Sequence, residues 1–110
     1  MIYNGFMQKN TDCDSSCLEN TLGIVGDKWT PLLLHALTDE PRSFCDIETL
    51  LDGISPRTLS QRLEKLVLEG IITKEMYCKH PPRYKYGLSQ KGRALRGVLN
   101  QMSEWGARYA

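Results

Sequence analysis

Five polar side chains crowd the first turns of one segment: Arg57, Thr58, Ser60, Gln61 and Arg62 follow Ser55-Pro56. Serine then proline is a favoured helix start, a hydroxyl cap followed by proline at the first helical position. Leu59, Leu63, Leu66 and Val67 recur at helical spacing, so the polar set is expected to face outward on a helix over 56–69 that Gly70 ends. Their chemistry suits a nucleic acid. Arginine fits guanine O6/N7, glutamine fits adenine N6/N7, and short hydroxyls such as Ser55 and Ser60 reach phosphate. The helix N-terminus adds a partial positive charge at the same place.

A second polar group follows. Lys74, Lys79, His80, Arg83 and Lys85 lie on or between two β-rich stretches. Ile71–Cys78 alternates imperfectly, whereas Arg83–Leu88 places Tyr84, Tyr86 and Leu88 on one face and Arg83 and Lys85 on the other. Lys79-His80-Pro81-Pro82 is expected as the loop of a compact basic hairpin. The whole 110-residue chain has a net charge of only +1, which hides a division. Residues 54–96 hold ten basic and three acidic side chains, a net of +7; the remainder is −6. Such a separation is the electrostatic footprint of a face that binds a polyanion.

Other chemistries are poorly supplied. The two histidines are His35, in an apolar segment expected to be buried, and His80 on the hairpin; no nucleophile with an orienting base, paired carboxylates or glycine-rich phosphate loop stands out. A catalytic role and a bound cofactor are therefore not expected. Cys13-x-x-x-Cys17 and Cys78-x-His80 have metal-ligand spacing, but the second pair falls on the hairpin, away from the first, so no metal site is expected. Four cysteines in a chain with no secretory leader pattern and no membrane-length apolar run argue for a cytoplasmic protein without a disulfide framework.

The elements that must hold these groups can be read around them. A chain of this length allows one domain with one core. Residues 1–16 are polar and aperiodic and are expected to form a flexible arm, with the domain at 17–110. Leu18, Leu22 and Val25 predict a short first helix. Asp27 caps a second through Trp29, Leu32–Leu34, Ala36 and Leu37, with Pro31 tolerated in its first turn. Thr38–Arg42 reads as a loop. Ser43 caps a third helix over Phe44–Leu51, with Phe44, Ile47, Leu50 and Leu51 inward, and Asp52-Gly53 turns into the polar helix. After the hairpin, Ser89 caps a last helix whose stripe is Leu95, Val98, Leu99, Met102 and Trp105. The order is helix, helix, helix–turn–helix, basic hairpin, helix: a mainly α winged helix–turn–helix.

At this point a resemblance becomes specific. Cys17-Leu18-Glu19-Asn20-Thr21-Leu22 with Ile24-Val25-Gly26-Asp27-Lys28-Trp29-Thr30 resembles the opening signature of the HxlR family of winged-helix regulators, related to the MarR type. Further matches follow in order: Pro41–Phe44, Gly53–Leu63, Leu68-Glu69-Gly70, Tyr77 with Pro81–Arg83, Tyr86–Ser89 with Lys91-Gly92, and Trp105. The resemblance implies a dimeric transcription factor on a double-stranded DNA operator, more often a repressor, with helix 56–69 in the major groove and the 78–83 tip on the backbone or minor groove. It implies that the first and last helices pair between copies, through Leu18 and Leu22 and the stripe from Leu95 to Trp105. That stripe also runs past what a small core requires. Two copies would set half-sites ~34 Å apart or at a multiple of that spacing.

The resemblance further implies oxidant or electrophile sensing through a thiol at Cys17, with the effector itself unspecified. A thiol at a helix N-terminus is the more reactive kind, although Asp12, Asp14 and Glu19 oppose that here. Cys13 and Cys45 are candidate partners, and Cys13 stands outside the family pattern. The alternative reading is a winged-helix interaction module that binds no DNA, which need not keep cations on both helix and hairpin.

Overall fold

The computed structural model describes residues 15–110. In chain order its elements are α1 (Ser15–Val25), α2 (Trp29–Ala36), β1 (Arg42–Ser43), α3 (Phe44–Leu50), α4 (Pro56–Leu68), β2 (Ile72–Lys79), β3 (Pro82–Leu88) and α5 (Gln90–Tyr109). The strands form an antiparallel sheet in the order β1-β3-β2. This is a winged helix–turn–helix. Leu33, Leu34 and Leu37 from α2 and its end, Ile47 from α3, Leu59, Leu63 and Leu66 from α4, and Ile71, Ile72 and Leu88 at the sheet root make one core. Three of the expected caps form as hydroxyl acceptors: Ser43 for Asp46 N, Ser55 for Thr58 N and Ser89 for Gly92 N.

Several expectations need correction. The first helix opens at Ser15, so Ser15 and Ser16 belong to it and not to the arm expected over 1–16; residues 1–14, with Cys13, lie outside the described residues. The segment read as the loop 38–42 ends in a strand. Arg42 pairs with Tyr86 and Ser43 with Lys85, and the Arg42 Nε donates to Ala36 O at 2.8 Å. A two-residue strand has no periodicity of its own, so only its partner could disclose it. The hairpin loop is shorter than expected: Lys79 pairs with Pro82, leaving His80 and Pro81 as the connection. Pro82 is tolerated as the first residue of β3, where its missing N–H interrupts nothing.

Helix α2 is also less enclosed than its composition suggests. Thr30, Leu33 and Leu34 are buried, but Leu32 and His35 are exposed, because eight residues turn one face to the core. In α3 Leu50 is exposed, contrary to the inward face expected for it; the chain leaves the helix there and buries Leu51 instead. Gly53, with φ of 91°, supplies the left-handed turn that carries α3 into α4.

Two joints fasten α5 to the rest. At the sheet root, Ser89 N donates to Ile71 O at 3.0 Å, and Ser89 Oγ lies 2.6 Å from Gly70 O and 2.8 Å from Ile71 O. Gly92 packs directly over that Ile71 carbonyl. One turn later Arg96 reaches α2 and its end. Its Nε donates to Thr38 Oγ1 at 2.6 Å, its Nη2 meets His35 Nδ1 at 2.8 Å, and its Nη1 donates to Asn100 Oδ1. Beyond these joints α5 leaves the core. Val98, Met102, Trp105 and Tyr109 follow one another along it with about half or more of each surface exposed.

Candidate nucleic-acid interface

Helix α4 divides its faces by spacing. Leu59, Leu63 and Leu66 are buried, whereas Arg57, Ser60, Gln61, Glu64 and Leu68 stand exposed along the opposite side. Arg57 and Gln61 are one turn apart, so their heads share an edge near the helix start. Ser55 and Thr58 are committed to each other: Thr58 N donates to Ser55 Oγ at 3.1 Å, and Ser55 Oγ donates to Thr58 Oγ1 at 2.9 Å. They build the start of the helix more than they extend from it.

Arg62 departs from the outward set in which the sequence placed it. Its side chain turns toward α2, with Nε 3.6 Å from Asp27 Oδ1 and shielded from solvent. Asp27 is itself held by α2, accepting from Trp29 N and Thr30 N at 2.8 Å each through Oδ1, and from Thr30 Oγ1 at 2.7 Å through Oδ2. Burial alone would push the Asp27 carboxyl up. The bonds from Thr30 and Trp29 and the charge of Arg62 outweigh it, and the group lies below its ordinary value.

Other basic residues are also spoken for. Lys65 Nζ donates to Gly23 O at 3.0 Å and Lys91 Nζ to Glu69 O at 2.7 Å, while Arg96 forms the joint to α2. With Arg62, four of the ten cations in 54–96 thus tie elements together. The dense charge of this stretch is partly internal carpentry. Nothing in the sequence marked which cations these were, since each partner lies between 22 and 58 residues away.

The hairpin's two faces follow its register. Lys74 sits opposite Tyr86 and Met76 opposite Tyr84, on the face that continues Ile72 and Leu88 toward α4. Lys74 Nζ lies 4.4 Å from the Tyr84 ring centroid. Lys74 and Tyr86 also line, with Ser60, Glu64, Val67 and Leu68, a cleft between α4 and the sheet root. Lys85 is on the other face, 5.3 Å from the Tyr77 ring. Lys79, His80 and Arg83 are exposed at the tip, close to the two-residue turn. The exposed edge of α4 and this tip are therefore two places where cations and hydrogen-bonding groups remain open to a polyanion.

The remaining sites are dispersed. Cys17 is exposed in the first turn of α1, Cys45 is exposed near the start of α3, and Cys78 is half-buried in β2. Leu18 and Leu22 are exposed on α1; on α5, Leu95 and Leu99 lean on the core and Val98, Met102 and Trp105 do not. Among the described residues no three metal-ligating side chains gather, and no helix is long and apolar enough to cross a membrane.

Comparison with known proteins agrees with this architecture. The family described as HxlR-like helix-turn-helix matches residues 24–110. The uncharacterized HTH-type transcriptional regulator YdeP of Bacillus subtilis is 34% identical over 105 residues, covering 96% of this chain and 82% of its own. Among solved structures, the regulator ytcD superposes with a TM-score of 0.79 at 34% identity, over 84% of this chain and 94% of that one. The redox regulator HypR in its reduced form gives 0.79 at 33% identity, over 84% and 91%. The same regulator in its oxidized form gives 0.77 at 32%, over 86% and 97%.

Proposed function

Because this chain belongs to the HxlR-like helix-turn-helix family of transcriptional regulators, we propose that it acts as a homodimer on a double-stranded operator in the cytoplasm, as a repressor. The observation that carries this reading is the exposed edge of α4, with Arg57, Ser60 and Gln61 next to a hairpin tip bearing Lys79, His80 and Arg83. An α-helix fits the major groove, and its first turns reach base edges. Arg57 and Gln61 read bases, Ser55, Thr58 and Ser60 hold the helix start and its phosphates, and the tip engages the adjacent backbone. Lys74 and Lys85 support the hairpin through Tyr84 and Tyr77. The second half-site is read by a second copy, joined through Leu18 and Leu22 of α1 and through Leu95, Val98, Leu99, Met102 and Trp105 of α5. The role is one of binding; no catalytic step is assigned.

Cys17 is proposed as the thiol through which oxidants or electrophiles release the operator. It is exposed on α1, the helix that also carries the partner-facing leucines, and one of the similar structures is a redox regulator solved in both states. The test is titration of duplexes from the gene's own promoter over a salt series. Counterion release predicts a log–log slope of about −0.9 per phosphate neutralised. A flat salt response would refute DNA binding, and an undiminished oxidant response in Cys17→Ser would refute the sensor.

A further inference from the structure

Arg62 sits in the helix proposed to read DNA, yet its guanidinium Nε faces the protein, with the side chain 31% exposed. Its partner is a carboxylate that cannot follow it, because three hydrogen bonds from Trp29 N, Thr30 N and Thr30 Oγ1 fix both Asp27 oxygens at the first turn of α2. Thr30 itself is 1% exposed. The Arg62 Nε is solvent-shielded with no hydrogen-bond acceptor, 3.6 Å from Asp27 Oδ1. We propose that Arg62 is a positioning residue, which through Asp27 fixes the roll of α4 about its own axis and thereby aims Arg57 and Gln61. The inference deepens, and rests on, the reading of α4 as the base-contacting helix.

The physical need is plain from the other contacts. Leu59, Leu63 and Leu66 bind α4 to the core by apolar burial, which has no directional preference. An ion pair to a carboxylate that is itself fixed instead ties α4 to one point beside α2, so a roll of the helix stretches it. A helix with its side chains has a radius of about 5–6 Å, so a roll of about 20° moves an outer atom by about 2 Å. That is enough to break a contact that tolerates only a few tenths of an ångström around 2.9 Å. Phosphate contacts by flexible side chains survive such a roll; bidentate base contacts do not. The clamp therefore acts on selectivity, and leaves non-specific affinity alone.

The experiment uses the full chain and a duplex selected by the purified protein from a random pool, with a scrambled duplex of equal length beside it. Binding of both is measured over a salt series for wild type, Asp27→Asn, Arg62→Met, Arg62→Lys and the double variant Asp27→Asn/Arg62→Met. We expect each single variant to weaken the selected duplex by about 10- to 100-fold, the scale of one or two lost base contacts, with scrambled binding and salt slope unchanged. The double variant should be no worse than either single. Asp27→Asn gives a contrast of sign. It makes the protein one charge more positive, so electrostatics alone predicts tighter DNA binding, whereas the clamp predicts weaker selected binding.

A salt slope smaller by about one in Arg62→Met, with Asp27→Asn harmless, would place Arg62 on a phosphate and overturn the proposal. Parallel losses on both duplexes would also overturn it, since they report a smaller folded fraction. Arg62→Lys, which keeps the charge but not the planar fork, covers the case in which Arg62→Met fails to fold. A wild type that selects no sequence would remove the base-reading role of α4, and the positioning role with it.

Discussion

Substituting Gly92 by alanine separates two forces that usually act together. In an exposed helix the change is favourable by about 0.8–1 kcal/mol, because alanine loses less backbone freedom. At Gly92 an added Cβ would stand 2.2 Å from Ile71 O and 3.3 Å from Leu88 Cδ2. The near atom is backbone at the sheet root, so α5 must lift away. Lifting strains the bonds that Ser89 N and Ser89 Oγ make to that same carbonyl. Two bonds at about 0.5–1.5 kcal/mol each, with overpacking of about 1–3 kcal/mol, outweigh the helical gain. The expected result is a net destabilisation of about 3 kcal/mol, or a Tm lower by on the order of 10–20 °C for a domain of this size.

Gly97, one turn and a half later in the same helix, supplies the control. It has nothing within 4 Å of its would-be Cβ. Gly97→Ala should therefore stabilise by up to about 1 kcal/mol. Urea denaturation at one fixed protomer concentration measures both, since self-association would shift each midpoint with concentration. Equal signs for the two variants would refute the reasoning. A stable Gly92→Ala would mean that α5 does not seat on the Ile71 carbonyl at all.

Three further outcomes are expected. Arg57→Ala and Gln61→Ala should each cost about 1–3 kcal/mol on the selected duplex, measured by fluorescence anisotropy; unchanged affinity in both would remove the exposed edge of α4 from the interface. The folded Asp27 carboxyl lies below its ordinary value, so the stability it contributes is present above the unfolded value of about 3.9 and is lost as pH falls through the folded one. Asp27→Asn should accordingly cost about 0.3–1 kcal/mol near pH 7 and progressively less in urea titrations below about pH 4, and a cost independent of pH would contradict the role of its charge. Trp105→Ala, with Met102→Ala, should weaken self-association by at least about 2 kcal/mol if these are the central anchors; sedimentation equilibrium decides, and a wild type monomeric at every concentration would refute the α5 interface.

Helices α3, α4 and α5 are legible because each carries both a period and a cap. Ser43, Ser55 and Ser89 mark their starts chemically, and the leucines of α4 mark its inner face. The two polar groups likewise point to α4 and the hairpin from their residue types and spacing alone. What escaped the sequence was tertiary in cause. Arg42-Ser43 becomes a strand only because Tyr86 and Lys85 lie beside it. Arg62 turns toward Asp27, in the turn between α1 and α2, 35 residues earlier in the chain. Lys91-Gly92 was noticeable as part of a family pattern, but its reason is the Ile71 carbonyl beneath it. His35 looked interior from the leucines around it, and is instead the exposed end of the Arg96 joint.

That joint turns α5 into a lever. Arg96 grips Thr38 and His35 near the start of the helix, and the exposed stripe extends to Tyr109 at its far end. From Arg96 to Tyr109 the helix runs thirteen residues, about 20 Å. In the proposed dimer a tilt of about 5° at the fulcrum would shift the far end by about 1.7 Å over that length. Neighbouring base pairs are separated by about 3.4 Å. A small torque applied through two polar contacts to α2 and its end is thus geared into a displacement of about half a base-pair step at the far end of α5.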